Sequence, residues 1–226
     1  MNRKPTIAID GPAGSGKSTV ARRVAQRLGL TCVETGAMYR AVAWQARGLG
    51  IDPGDGRALA GMVDGMGLRL EPEPDGRARV LLEGRDITGE LRSPELEQLA
   101  SRISTHREVR QRLVALQRRM AADGGVVMEG RDIQTVVLPD ADVKVFLTAS
   151  AEERARRRMR DLEATGAPAS FDEVLRSVVD RDERDQTRAA SPLRPADDAV
   201  VIDTDDVTAD QVVDRIVALA ENRGER

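Results

Sequence analysis

Residues 8–19 read AIDGPAGSGKST, and the fold follows from how that stretch is built. An apolar β-like segment, Thr6-Ile7-Ala8-Ile9, runs into a loop holding Gly11, Gly14 and Gly16, then into Lys17, Ser18 and a helical pattern. That is the phosphate-binding signature G-x-x-x-x-G-K-[ST] in its required setting of strand, loop and helix. Glycines let the backbone curl around an anion with successive N–H groups pointing inward. The following helix offers its unpaired N-terminal donors to the same phosphates. Lys17 would put a point charge at the β- and γ-phosphates, and the Ser18 hydroxyl is placed to ligate Mg²⁺.

Working outward, Val20, Val24 and Leu28 form one apolar stripe of a helix from Ser18 to Leu28, which Gly29 ends. Thr31 to Thr35 reads as a second strand, and Gly36 leads into a helix from Ala37 to Arg47. Strand and helix alternating at these lengths indicate a parallel sheet covered on both faces. Residues 48–92 read differently: a short helix from Arg57 to Met66, then strands at Leu68 to Leu70 and Ala78 to Leu82 around the turn EPEPDG. GRDITGEL looks like a tight turn before another short strand. This is either a small α/β insertion or a long decorated loop, and the alternating apolar residues favour the insertion.

Ser93 as N-cap and Pro94 at the first helical position start a helix to Ser104, followed by one from Glu108 to Ala122 that Gly124 and Gly125 stop. VVME (residues 126–129) and Val143 to Leu147 are buried strands. An arginine-rich helix from Ala151 to Glu163, the turn GAPAS and a helix from Phe171 to Arg188 suggest a hinged lid. For most of these charges, though, a solvated hairpin with i,i+4 ion pairs is the sufficient reading. Val200 to Ile202 is the last strand, Thr208 to Leu219 the last helix, and the tail ENRGER is expected to fray. The layout is one unit: core residues 1–47, 93–150 and 189–226, an insertion at 48–92 and a lid segment at 151–188.

Composition narrows the function. The 226 residues carry 35 Lys+Arg against 38 Asp+Glu, a net charge of −3, which argues against nucleic acid as the main partner. No apolar run approaches a membrane span, and the N-terminus passes directly into the first strand, so a cytoplasmic protein without a membrane partner is expected. Cys32, the single cysteine, allows no intrachain disulfide, and the single histidine, His106, allows no multi-histidine metal site. Tyr39 and Trp44 share a helical segment, where core packing is the ordinary role.

A phosphate loop alone serves switches, motors and kinases. Arg40, Arg131, Arg181 and Arg188 discriminate: they fall at turns, helix edges or strand C-termini, where an α/β crevice binds ligands and a second phosphate-bearing substrate would need them. ETGAMYR (34–40), SRIS (101–104) with Val109-Arg110, EGRDIQTVV (129–137), RDERDQTRAASPL (181–193) and AVVIDT (199–204) then follow in order along nearly the whole chain. This set resembles the bacterial cytidylate kinases.

The resemblance implies a P-loop three-layer α/β/α core with a five-stranded parallel sheet, and transfer of the γ-phosphoryl group of ATP to CMP and dCMP, with Mg²⁺. Gly11, Pro12, Ala13, Gly14, Ser15, Gly16, Lys17, Ser18 and Thr19 would hold ATP. Arg154, Arg157 and Arg158 lie in the closing lid, with Arg157 assigned to ATP. Arg40 and Arg131 would grip the CMP phosphate beside Thr35 and Tyr39. Ser101, Arg110 and Asp132 would read cytosine, and Arg181, Asp185 and Arg188 would meet the ribose and the transferring phosphate. An aspartate accepts from the exocyclic amino group of cytosine and repels the carbonyl of uracil, which makes Asp132 chemically apt. Its plainer role would be as a structural partner of Arg131. Glu34 and Glu129 stand where the family often has aspartate. Gln134 stands where glycine is common, so a local change of geometry is expected in that loop. Other kinases of the nucleoside-monophosphate group, shikimate-type metabolite kinases and an ATP-switched binding protein are the competing readings, and a monomer is expected.

Overall fold

The computed structural model describes residues 4–73, 76–164, 166 and 169–223. Parts of the EPEPDG and GAPAS turns and the end of the ENRGER tail lie outside the described residues.

Strand β1 (Thr6–Asp10) is buried along its whole length, and its alternating side chains serve two cores. Ile7 and Ile9 face α1 (Lys17–Leu28) and α8 (Ala209–Arg223), packing with Val20, Val24, Val213 and Ile216. Ala8 faces the opposite side with Val33, Met128, Ile133 and Val137. The other strands of this sheet are β2 (Thr31–Glu34), β6 (Val126–Gly130), β7 (Val143–Thr148) and β8 (Val200–Asp203). All neighbours are parallel, in the order β2-β6-β1-β7-β8. Every strand therefore ends at the same edge, where Asp10, Glu34, Gly130 and Asp203 gather, and in such sheets that edge is where ligands bind.

The remaining helices are α2 (Thr35–Gly48), α3 (Gly56–Gly65), α4 (Pro94–Ile103), α5 (Arg107–Met120), α6 (Ala151–Ala164) and α7 (Phe171–Thr187). A third core of Met38, Leu59, Leu96, Ile103 and Leu113 joins α2 to α5 with an antiparallel sheet, β3 (Leu68–Pro72), β4 (Ala78–Leu82) and β5 (Arg85–Asp86). Among the described residues of 48–92 there are thus one helix, three strands and a 3-10 turn.

Three local expectations change or gain detail. Helix α2 starts at Thr35, two residues early, because the Thr35 hydroxyl donates to the Glu129 carbonyl (2.9 Å) and ties the helix start to β6. In GRDITGEL the short strand β5 follows the expected tight turn, at Glu83-Gly84, and is followed by a second one: the Asp86 carboxylate accepts from the N–H and hydroxyl of Thr88 (2.9 and 2.6 Å), closing a 3-10 turn at Thr88–Leu91. After β6 the chain forms a π-helical turn, Ile133–Val137, with i→i+5 bonds from Val137 to Asp132 (3.2 Å) and from Leu138 to Ile133 (2.7 Å). Gln134 sits inside that turn, and its φ is not positive. It needs none of the freedom that a glycine would supply there.

In the α6–α7 hairpin, α7 is started by a reciprocal cap. Ser170 Oγ accepts from Glu173 N–H (3.3 Å), and the Glu173 carboxylate accepts from Ser170 N–H (3.1 Å). Ser170→Ala should cost about 1 kcal/mol, concentrated in the first turn of α7. Hydrogen exchange there should accelerate severalfold while the sheet is unaffected.

Candidate active site

The phosphate loop is shaped by backbone geometry that its sequence allows. Gly14 and Gly16 have φ of +79° and +88°, and a Cβ at Gly11 would lie 2.0 Å from the Leu147 carbonyl oxygen on the neighbouring strand. Ser15 Oγ donates to Pro12 O (3.0 Å), and Lys17 Nζ folds over the loop to donate to Pro12 O (2.6 Å). Burial, reinforced by the like charge of Arg131 and opposed by Glu129, pulls the Lys17 ammonium down to about 7. A buried ammonium hydrogen-bonded to a carbonyl and a hydroxyl rather than to a carboxylate is short of negative charge, which a phosphate would supply.

Ser18 Oγ donates to Glu129 Oε1 (3.0 Å) at the C-terminal end of β6. A hydroxyl and a carboxylate oxygen beside a phosphate cradle form the hard oxygen donor set that suits a divalent cation of the Mg²⁺ type. Among the described residues no group of three or more His, Cys, Asp or Glu forms a metal cage. Ser18 Oγ and Glu129 Oε1 match the one or two protein oxygens by which Mg²⁺ is commonly held beside substrate phosphates.

A cleft of about 460 Å³ opens beside the loop. The structure brings into its lining Ala13, Gly14, Lys17 and Ser18 from the loop side, and Thr35, Tyr39 and Arg40 from α2. Ser101, Arg110, Arg131, Asp132, Arg181, Asp185 and Arg188 complete the opposite wall. Gly11, Pro12, Ser15, Gly16 and Thr19 do not line it; the first four shape the loop from behind. Arg157 does not line it either. Its guanidinium donates to Thr204 O (2.5 Å) and Thr204 Oγ1 (3.0 Å) and pairs with Glu153 (3.1 Å).

The far wall is a chain of alternating charges. Arg110, 3 % exposed, bonds Asp132 Oδ2 (2.5 Å) and Ser104 O (3.1 Å) and lies over the Tyr39 ring at 5.6 Å. Asp132 Oδ1 lies 4.0 Å from Arg188 Nη2, Arg188 Nη1 lies 3.9 Å from Asp185, and Asp185 bonds Arg131 Nε (2.9 Å). Asp132 therefore pairs with Arg110 rather than with its sequence neighbour Arg131. Burial pulls Arg181 down to about 10, with the like charge of Arg131 adding to it. Burial alone would raise Asp185, but Arg131, Arg181 and Arg188 outweigh it and hold the carboxyl below its ordinary value. Ser101 Oγ, Arg110 Nε, Arg181 Nε and Arg188 Nη2 are buried without a hydrogen-bond partner. Each such orphan costs about 1–3 kcal/mol, so four converging on one cleft mark a surface shaped for a polar, anionic ligand.

Sequence reasoning placed Arg154 and Arg158 in the lid but missed their partners. Arg154, in α6, pairs with Asp182 of α7 (2.5 Å) and donates to Ala13 O of the loop (3.2 Å). Arg158 pairs with Glu97 of α4 (2.7 Å), joining α6 to the acceptor wall. Nothing in the sequence selects these partners among so many charges.

Asp10, at the end of β1, is also missed although it directly precedes Gly11. Burial lifts its pKa to about 6, against the pull of the Gln134 and Ile133 N–H groups. The folded value lies above the ordinary 3.8, so stability from this group is complete below pH 3.8 and is lost as pH rises through about 6. The loss is about 3 kcal/mol. Chemical denaturation of the wild type and Asp10→Asn should therefore show their difference shifting toward the variant by about that amount between pH 4 and pH 7. A pH-independent difference would contradict it.

Comparison with known proteins agrees with this geometry. The family model described as cytidylate kinase matches residues 7–222. The cytidylate kinase of Pelotomaculum thermopropionicum is 50 % identical over 218 residues, covering 96 % of each chain. That of Desulfitobacterium hafniense is 49 % identical over 225 residues, covering 100 % of this chain and 96 % of its own. Among solved structures, an uncharacterised protein from Eubacterium ventriosum superposes with a TM-score of 0.53 at 14 % identity, over 96 % of this chain and 98 % of its own, a likeness of fold alone. With its phosphate loop, its parallel sheet and a match over almost its full length, the chain belongs to the cytidylate kinase family.

Proposed function

We propose that this enzyme transfers the γ-phosphoryl group of ATP to the phosphate of CMP, and of dCMP, giving ADP and the corresponding diphosphate. The observation that carries the reading is the convergence of four unpartnered buried polar atoms, on Ser101, Arg110, Arg181 and Arg188, across the cleft from the phosphate loop. An anionic second substrate whose base presents donors and acceptors satisfies them. A water nucleophile would not.

In this reading residues 11–19 hold the triphosphate, and Lys17 neutralises charge that builds on the transferring group. The acceptor oxygen is already ionised, so no strong general base is required. Catalysis is positioning plus charge neutralisation. Arg40 and Arg131 grip the acceptor phosphate, while Arg181 and Arg188 face the ribose and the transferring group with Asp185 between them. Ser18 and Glu129 would hold Mg²⁺, which supplies further charge neutralisation on the triphosphate. Arg110 occupies one oxygen of Asp132 and leaves Oδ1 to accept from the cytosine amino group. Residues 48–92 serve as the acceptor-side insertion, and residues 151–188 as the lid that excludes competing water. Arg154 and Arg158 line the cleft, while Arg157 reaches the phosphate loop from outside it, donating to Gly14 O (3.4 Å).

Only Leu49, Val179, Val201 and Val207 are exposed large apolar residues among those described, and they are scattered, which supports a monomer. No helix among the described residues is long and apolar enough to cross a membrane. The test follows the group transferred. With ATP labelled in its γ-phosphate, the label should appear in CDP when CMP is present. Label released as inorganic phosphate at the same rate with and without CMP would overturn the reading.

A further inference from the structure

Asp10 and Gln134 have no part in the chemistry above, yet they sit where the phosphate loop meets the base-reading turn. Asp10 is fully buried, ends β1 and directly precedes Gly11. Its carboxylate accepts from two consecutive backbone N–H groups, those of Ile133 (3.0 Å) and Gln134 (2.8 Å). A buried carboxylate is costly unless hydrogen-bonded, and these two donors open the π-helical turn that directly follows Arg131 and Asp132. The strand that launches the phosphate loop thereby also fixes the turn that carries the acceptor-binding pair.

Gln134, 1 % exposed, continues the connection with its side chain. Its Nε2 donates to Val145 O (3.3 Å) on β7, and its Oε1 accepts from Ala196 N–H (3.0 Å). Ala196 lies on the strap between α7 and β8. The same strap begins at Arg188 and is tied at its other end by Leu193 N–H to Asp185 O (2.8 Å) and by Arg188 Nε to Ser191 O (2.6 Å). One hydrogen-bonded path therefore runs from β1 through the turn to the strap. Its branches end on Asp132 and on Arg188, the two groups facing each other at 4.0 Å.

Resting on the reading of the cleft given above, we propose that Asp10 and Gln134 are positioning residues for the acceptor nucleotide. Asp10 sets Arg131 and Asp132 relative to the phosphate loop, and Gln134 sets the strap that presents Arg188. A misplacement of about 1 Å costs about a hundredfold in such reactions, so the effect need not involve substrate contact. At Asp10, an asparagine would accept from one N–H and turn its own amide donor toward the other. At Gln134, a methionine would keep the volume and lose both hydrogen bonds.

The test measures kcat and KM for CMP and UMP, and the dissociation constant of MgADP, in the wild type, Asp10→Asn and Gln134→Met. Asp10→Asn should lower the CMP-to-UMP ratio of kcat/KM about tenfold or more, with MgADP affinity within about threefold of wild type. Gln134→Met should raise KM for CMP about tenfold with kcat within about threefold. Variants with a lower melting temperature but an unchanged CMP-to-UMP ratio and unchanged KM would overturn the proposal, since that is the result of a purely structural role. Equal losses toward CMP and MgADP would overturn it too. If Asp10→Asn does not fold, Gln134→Met decides alone. A wild type without preference for CMP would instead defeat the reading of the cleft, and that appears before any substitution is made.

Discussion

Lys17→Ala should lower turnover by about a thousandfold or more and leave the fold intact. The side chain is buried, and its ammonium donates to the Pro12 carbonyl (2.6 Å) and Ser15 Oγ (3.4 Å). Its pKa of about 7 against an ordinary 10.5 means that the folded protein bears this charge at a cost near neutral pH. The group is depressed on folding, so the unfolded chain binds more protons between those values, and stability from this group rises with pH across that window. Truncation removes the penalty together with the charge, and the melting temperature should fall little. Loss of turnover with a native-like melt is the expected pair of results. Near-normal turnover would take Lys17 out of the site, and an unfolded variant would show that the charge is structural.

The second large effect is expected at Asp132. Asp132→Asn should lower kcat/KM for CMP by about 10²–10³ and change that for UMP far less, so that discrimination between the bases collapses. Two physical losses combine. The amide cannot both accept from Arg110 and present a second acceptor to the cytosine amino group, and its NH₂ offers uracil a donor. Arg110 also loses its charged partner in a wall where it is 3 % exposed, and breaking a buried pair in that way costs several kcal/mol. Steady-state kinetics with both acceptors, beside a thermal melt, separates base reading from stability. A variant that loses activity equally toward CMP and UMP would assign Asp132 to structure alone.

The parts of the molecule legible in the sequence are those governed by local rules. The loop from Gly11 to Ser18 depends on residues within a few positions of one another. The stripe Val20-Val24-Leu28 and the cap Ser93-Pro94 likewise carry their own periods and end signals. Other features are settled by distant groups. Thr35 begins a helix because Glu129, 94 residues away, accepts its hydroxyl hydrogen. The π-helical turn after Asp132 forms where Asp10, more than 120 residues earlier, receives its N–H groups. Arg154 with Asp182 and Arg158 with Glu97 are pairings that no spacing rule selects from so charged a pair of helices. The residues of the acceptor wall were nameable because a family pattern orders them. The alternation that links Arg110, Asp132, Arg188, Asp185 and Arg131 is a property of the folded chain.

The most direct measurement is ADP formation from MgATP with CMP, dCMP, UMP, AMP and shikimate offered one at a time. Rapid turnover with CMP and dCMP, and little with the other three, is the predicted result. ATP consumption indifferent to every acceptor, or turnover with UMP equal to that with CMP, would contradict the account of this cleft as a cytosine-reading acceptor site.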